Sequence, residues 1–295
     1  MFARAGAAMV PGASRLPFVG GGGREIPDLT LVLSDVAIDR DRLAAYDRVC
    51  GFSLSDELPA TYPHMLAFPL QLALMTDSSF PFPAIGLVHI VNRIVQHRPV
   101  RAGERLSLRV CATPLEPHPR GQQFSLLSEA RVGDELVWEE VSTNLRRGGG
   151  SGEDAGSGGD AGSGGDADSK PIAAPEVPSA EGLPATATWK LPGDLGRRYA
   201  SVSGDFNPIH VHSLSARLFG FPSAIAHGMW TKARCLAALE PRLPDAYTVE
   251  VAFRKPILLP ASVKFVQGPA GDGVRFGVRG AKKDIAHLDG RLTFG

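Results

Sequence analysis

Alternation of apolar and polar residues with a period of two marks most of the chain's strands. It runs over residues 247–255, 262–267, 274–278 and 285–293, and earlier over 87–97, 106–112, 123–132 and 135–145. Two segments break that period with longer apolar runs that suit helices, residues 65–75 and 227–239. The second reads Gly-Met-Trp-Thr-Lys-Ala-Arg-Cys-Leu-Ala-Ala-Leu and is stopped by Pro241 and Pro244. Shorter helices are expected from a cap at Asp194 through about residue 202, ended by Gly204, and from a cap at Ser213 over 214–219, ended by Gly220. One long helix with several antiparallel strands on each side of the chain's middle is an α+β pattern.

The alternation disappears over residues 148–169, GGGSGEDAGSGGDAGSGGDADS, which hold no large apolar side chain. Such a run cannot bury enough surface to offset its ordering entropy and is expected to be a flexible coil, extended by the Pro-rich residues 171–184. Its glycines do not make a phosphate loop, since no strand precedes them and no helix follows. The expected organisation is a mobile N-terminal tail (1–27), a first domain (28–147), a linker (148–180) and a second domain (181–295).

The two domains read as copies of one unit. Ala45-Tyr46-Asp47-Arg48-Val49-Cys50-Gly51 lines up with Arg198-Tyr199-Ala200-Ser201-Val202-Ser203-Gly204, and Arg98-Pro99-Val100-Arg101-Ala102-Gly103 with Lys255-Pro256-Ile257-Leu258-Leu259-Pro260. The separations, 153 and 157 residues, agree closely. Chance similarity of short turns would have to produce both matches in the same order. The expected assembly is an internal pseudo-dimer, with a homodimer of whole chains left open.

Composition narrows the function classes. With 31 basic and 31 acidic side chains the net charge is zero, which argues against a general nucleic-acid binder. Three widely spaced cysteines, Cys50, Cys111 and Cys235, form no disulfide framework and fit a reducing compartment. The N-terminal apolar run is broken at Pro11, and no stretch approaches the ~18 apolar residues of a membrane span. A cytoplasmic protein is the expectation.

Chemistry concentrates in the second copy. Residues 199–210 read Tyr-Ala-Ser-Val-Ser-Gly-Asp-Phe-Asn-Pro-Ile-His, and His227-Gly228-Met229 follows seventeen positions after His210. Asp205, Asn207 and His210 put a carboxylate, an amide and an imidazole within six positions, which is general acid–base equipment. A plain Asn-Pro turn is the bland alternative. His210, His212 and His227 could also be read as imidazole ligands, but no Cys or further His clusters nearby and the spacing fits no standard zinc pattern. Neither a metal nor a cofactor is expected. After Gly51 the first copy carries Phe52, Leu54 and Glu57 where the second has Asp205, Asn207 and His210. Asp56 and Glu57 there read as solvated loop charges.

The run Tyr199, Gly204, Asp205, Asn207, Pro208, Ile209, His210, followed by His227-Gly228-Met229, resembles the signature of the MaoC-like, or type 2, enoyl-CoA hydratases. The resemblance covers about residues 28–147 and 181–295 and is specific in the second copy. It implies two tandem hot-dog domains, each a long helix wrapped by a curved antiparallel sheet. It also implies reversible syn hydration of trans-2-enoyl thioesters, carried by coenzyme A or acyl-carrier protein, to (R)-3-hydroxyacyl thioesters. Asp205 and His210 would share the reacting water, Asn207 would orient them, and the Gly228 amide at a helix start would hold the thioester oxygen. His227, placed to cap backbone groups, is read as a supporting residue beside the substrate, and His212 as a surface residue. Arg254 and Lys255 are the pair that would meet carrier phosphates, against the simpler reading of a solvated strand edge. The first domain would make room for the acyl chain with apolar residues among 62–90, for which core packing is the ordinary explanation. The hot-dog fold also hosts thioesterases and non-catalytic thioester binders, so those remain as alternatives.

Overall fold

The computed structural model describes residues 23–148 and 176–295. Most of the expected tail and linker, including the run 149–169, therefore lies outside the described residues.

The first half begins with β1 (Leu31–Val36), which sequence alternation did not anticipate. Helix α1 (Arg40–Cys50) follows. Asp39 caps it by accepting from the Asp41 and Arg42 amides, and Gly51, at φ +84°, ends it in the left-handed region. Helix α2 (Tyr62–Met75) buries Tyr62, Met65, Leu70 and Leu74 against the sheet formed by β2 (Val88–Gln96), β3 (Leu106–Ala112), β4 (Glu116–His118), β5 (Gly121–Val132) and β6 (Glu135–Arg147). The second half repeats the plan: β7 (Ala185–Leu191), α3 (Leu195–Ser203), α4 (Pro208–Val211), α5 (Ser213–Leu218), α6 (Gly228–Leu239), then β8 (Tyr247–Phe253), β9 (Ala261–Ala270), β10 (Gly273–Gly280) and β11 (Ala286–Phe294).

Two expected caps differ. Asp194 sits at the start of α3 but makes no side-chain cap bond. The cap of α5 is His212, whose Nδ1 accepts from the Leu214 amide at 3.2 Å, and Ser213 is already helical. An imidazole acceptor here does the work a hydroxyl was expected to do.

All the described strands join one antiparallel sheet in the order β1-β3-β5-β6-β2-β8-β11-β10-β9-β7, with β4 beside β5. The halves meet at β2 and β8, in register from Val91↔Ala252 to Gln96↔Tyr247. Ile94 and Val249 pair across that seam with no exposure, and burial of each such side chain contributes on the order of 1.5–3 kcal/mol. Each half wraps its long helix in its part of the sheet, which is the double hot-dog arrangement. The shorter helices α1 and α3 also meet across the boundary: Tyr46 and Tyr199 lie 6.1 Å apart, and Arg42 Nε donates to the Val202 carbonyl at 2.8 Å. Among the described residues no helix is long and apolar enough to cross a membrane.

In the first copy, Phe80, Phe82 and Phe124 form an edge-packed aromatic cluster with centroids 5.1–5.7 Å apart. Phe52 is buried, Asp56 pairs with Arg40, and Glu57 pairs with Arg101 at 3.2 Å. Glu240 ties this loop to the second half by accepting from the Ser53 amide and hydroxyl at 3.0 and 2.9 Å.

Candidate active site

The loop after α3 is shaped by local chemistry. Gly204 adopts φ +82°, a left-handed conformation that turns the chain out of the helix without steric cost. The Asn207 amide then folds back to donate to Asp205 Oδ1 at 3.2 Å. Asn207 Oδ1 accepts from the Ile209 amide at 3.3 Å, capping α4, and Pro208 occupies the first helical position where no N–H is needed. The side chain of Asn207 thus organises its own turn, and its backbone N–H is what touches the Asp205 carboxylate. Gly196 supports the turn from α3: a Cβ there would lie 1.9 Å from the His210 carbonyl oxygen. That close approach is one signal a glycine inside a helical pattern can carry.

His210 Nδ1 lies 2.9 Å from the Ile225 carbonyl. A carbonyl only accepts, so Nδ1 holds the proton and Nε2 keeps a free lone pair in the neutral ring. Residues 225–226 are themselves fixed, with the Ile225 amide donating to the Ile209 carbonyl at 3.0 Å and the Ala226 amide to the Ile257 carbonyl at 2.9 Å. His227 follows, 2 % exposed at its side chain. Its Nε2 donates to the backbone carbonyl of Asp205 at 3.0 Å and lies 3.7 Å from Oδ2. Its ring stacks on His210 with centroids 3.7 Å apart and lies 4.8 Å from Tyr199.

Helix α6 starts at Gly228 with no side-chain cap, so the helix start presents amides and the positive end of its dipole. A Cβ on Gly228 would lie 3.0 Å from the Phe253 ring, so even a methyl group there needs the ring or the helix start to give way. The position therefore offers an N–H to a carbonyl oxygen that comes close to the backbone.

Electrostatics separate the roles of the acid and the bases. Burial opposes ionisation of Asp205, but His227, His210 and the Asn207 amide more than offset it and hold the carboxyl below its ordinary range. Burial lowers the His210 imidazole, partly countered by Asp205. Burial and neighbouring His210 bring His227 down to about 3. At neutral pH the group is one carboxylate and two neutral imidazoles, able to accept a proton from water and to return one.

One oxygen of Asp205 and one ring nitrogen each of His210 and His227 lie within 4.8 Å of one another. The two rings stack, and one nitrogen of each already donates to a carbonyl. That donor set suits a water better than a tightly ligated cation.

Asp205, Asn207, His210, His227 and Gly228 are thus brought together. Arg254 is engaged elsewhere. Phe253 packs on Gly228, but the next side chain, Arg254, donates to buried Asp289 at 2.8 Å and to the Val177 carbonyl at 3.3 Å. Lys255 offers its carbonyl to His287 Nδ1 at 2.9 Å and leaves its side chain exposed.

A buried polar network that sequence reasoning missed lies beneath the seam. Glu140, with no side-chain exposure, lies 2.7 Å from His64 Nδ1 and accepts from Asn92 Nδ2 at 2.7 Å and Gln71 Nε2 at 3.0 Å. Burial opposes its charge, but His64, Asn92 and Lys232 hold it at about 2. Lys232, one turn after Gly228 on α6, reaches Asn92 Oδ1 and the Val249 carbonyl, the latter at 3.2 Å. Burial brings its ammonium down to about 7. A cation so fully desolvated persists only where oxygens surround it.

A model of the MaoC like domain matches residues 178–284. The chain is 36% identical over 266 residues to "3-hydroxyacyl-thioester dehydratase X" of Mycobacterium tuberculosis, covering 90% of this chain and 89% of that protein. It superposes on the crystal structure of HtdX of the same organism with a TM-score of 0.76 at 33% identity, over 90% of this chain and 100% of that one. A MaoC-like dehydratase from Phytophthora capsici matches with a TM-score of 0.72 at 17% identity, over 92% and 96% of the two chains, a likeness of fold. So does a Mycobacterium tuberculosis protein described as a double hot-dog fold, with a TM-score of 0.55 at 14% identity, over 92% and 98%.

Proposed function

This chain belongs to the MaoC-like dehydratase family, and on that premise we propose that it interconverts 3-hydroxyacyl and trans-2-enoyl thioesters by adding or removing water. In the hydration direction, a water held between Asp205 and His210 gives its hydroxyl to C3 of the enoyl thioester. The proton it loses passes to the Asp205–His210 pair, and C2 receives one proton from that pair. The thioester carbonyl carries enolate charge in between, and the Gly228 N–H stabilises that charge at the positive end of α6. Hydroxyl and proton reach one face of the double bond, so addition is syn, and we propose that the face presented is the one giving the (R)-3-hydroxyacyl thioester. Asn207 acts by holding the turn, and His227 by holding both Asp205 and His210.

One observation carries this reading. His210 spends Nδ1 on Ile225 and so aims a free Nε2 into the group that contains Asp205, beside an uncapped helix start. The first half, 28–147, lacks such a set. We assign it the acyl-chain side of the substrate, supported by α2, an apolar helix on which Leu66, Phe68 and Leu72 are among the residues that stay partly exposed.

The test is incubation with trans-2-enoyl thioesters of several lengths while following two signals. Loss of the conjugated-enoyl absorbance without thiol release is the expected result. Thiol release instead would make the protein a thioesterase, and binding without either change would make it a non-catalytic thioester carrier. Chiral analysis of the product tests the (R) assignment.

A further inference from the structure

An open cleft of about 400 Å³ lies on the boundary between the halves, lined by Arg48 and Gly51 from the first and by Trp189, Lys190, Arg198, Trp230 and Arg234 from the second. Four of its side chains are cationic and none is acidic. Among the described residues no carboxylate lies within ion-pair distance of Arg48, Lys190, Arg198 or Arg234, although eleven Arg–carboxylate pairs occur elsewhere. In a chain of zero net charge this is a concentrated local excess. Buried Asp47 lies nearby, its carboxyl pushed up to about 7 by burial, but it is not within ion-pair distance of any of the four cations.

The cleft is also built rather than merely charged. The Arg234 guanidinium lies over the Trp189 ring, 4.7 Å from its centroid. On its other side is the backbone of Gly51, where a Cβ would come within 2.6 Å of Arg234 Nη1. The floor is pinned across the halves by Trp230 Nε1, which donates to the Val49 carbonyl at 3.0 Å. One held guanidinium, Arg234, with exposed Arg48, Lys190 and Arg198 beside it and no ion-paired counter-charge, suits phosphate oxygens, because the guanidinium fork matches two oxygens at once.

We infer that this cleft holds the phosphate groups at the carrier end of the thioester substrate. The inference rests on the reaction proposed above. Two elements lead from the cleft to the reacting group. Arg234 is six residues beyond Gly228 on α6, a rise of about 9 Å. Arg198 adjoins Tyr199, whose ring is 4.8 Å from that of His227. A pantetheine arm spans such a gap and leaves its phosphates at the cleft. Arg254, engaged with Asp289 and Val177, is not needed for that task.

Three crotonyl thioesters separate the phosphates that could be held: the coenzyme A thioester, the 4′-phosphopantetheine thioester, and the pantetheine thioester, which has none. The expected result for the Arg48→Gln/Arg198→Gln double variant is a KM for crotonyl-CoA raised about tenfold or more, with kcat retained and the pantetheine KM unchanged. Arg48 and Arg198 are exposed, and Arg198→Lys is expected to restore part of the loss. A phosphopantetheine KM that rises as well assigns the 4′-phosphate to the cleft, and one that stays constant assigns the nucleotide end. Unchanged crotonyl-CoA KM, or an equal rise for all three thioesters, overturns the inference. Should wild-type protein turn over no thioester, the proposed reaction falls by itself. Titration with adenosine 3′,5′-bisphosphate then decides the cleft, and equal affinity in wild-type and double variant rejects it.

Discussion

The imidazole of His227 lies flat on that of His210, with ring centroids 3.7 Å apart, while its Nε2 donates to the Asp205 carbonyl at 3.0 Å. One buried ring therefore fixes the plane of one proposed proton carrier and the backbone of the other.

Replacing the carriers should hurt more than replacing their holder. Asp205→Asn and His210→Ala are expected to lower hydration by at least ~10²-fold, the scale of lost acid–base catalysis. His227→Phe keeps a stacking ring but loses the N–H, and is expected to cost roughly tenfold through misplacement. Circular dichroism should show all three folded. Wild-type turnover in a folded Asp205→Asn or His210→Ala protein would remove the proposed mechanism.

Gly228 should be sensitive to a single methyl group. Its Cβ would meet the Phe253 ring at 3.0–3.2 Å, so Gly228→Ala must shift the ring or the helix start that carries the oxyanion N–H. A kcat loss of about tenfold or more is expected, since one such donor is worth about 10²–10³ when removed outright. Adding Phe253→Leu should recover part of it. No recovery in the double variant would mean the ring is not what excludes the side chain.

The same residues set an acid limb of stability. His227 titrates near 3 when folded against 6.5 in its unperturbed form. Between those values the unfolded chain binds more protons, so this contribution is full above about pH 6.5 and is lost as pH falls toward 3. The depressed Asp205 carboxyl acts in the same direction. The difference in urea midpoint between wild type and His227→Gln should shrink from pH 7 to pH 4. A constant difference would show that His227 is not held neutral.

Lys232 works on the alkaline side. Its folded value is about 7 against 10.5 for the unperturbed ammonium, so the burial penalty is fully felt below pH 7 and eases as pH rises toward 10.5. Relative to Lys232→Met, wild-type protein should gain stability between pH 7 and 8.5. Identical pH slopes would place the ammonium in a better-solvated setting than its neighbours suggest.

The proposed site was largely legible because Asp205 through Gly228 occupy one 24-residue stretch, where a turn, a cap and a helix start are each dictated by near neighbours. The seam network was not, because Lys232 meets Asn92 from 140 positions away and Glu140 meets His64 across four intervening strands. Strand β1 escaped notice because Val32 and Leu33 are both exposed, leaving no alternation to read. Helix α1 did carry a signal, Asp39 before it and Gly51 after it, but its surface is too polar for the apolar period to stand out. Arg254 looked like a free cation only because its partner, Asp289, lies on another strand.

That partner should matter for folding rather than for substrate. Asp289 is buried, accepts from Arg254, Arg279 and the Ala180 amide, and so pins the segment that enters the second half. Asp289→Ala leaves buried Arg279 without its counter-charge and should destabilise by about 3–5 kcal/mol. Arg254→Ala, with a half-exposed side chain, should cost about 1 kcal/mol or less and leave KM for crotonyl-CoA unchanged. A raised KM would return Arg254 to the substrate.

The pairing of β2 with β8 joins strands of a single chain. Two separate copies would have to find each other, and their union would weaken on dilution; here closure is unimolecular and independent of protein concentration. It also frees the copies from each other. In a symmetric dimer one substitution appears twice, so a loop carrying Phe52, Leu54 and Glu57 in place of an acid–base set would disarm both halves at once. In tandem, one half can give up its chemistry and take on another task while its twin continues unchanged.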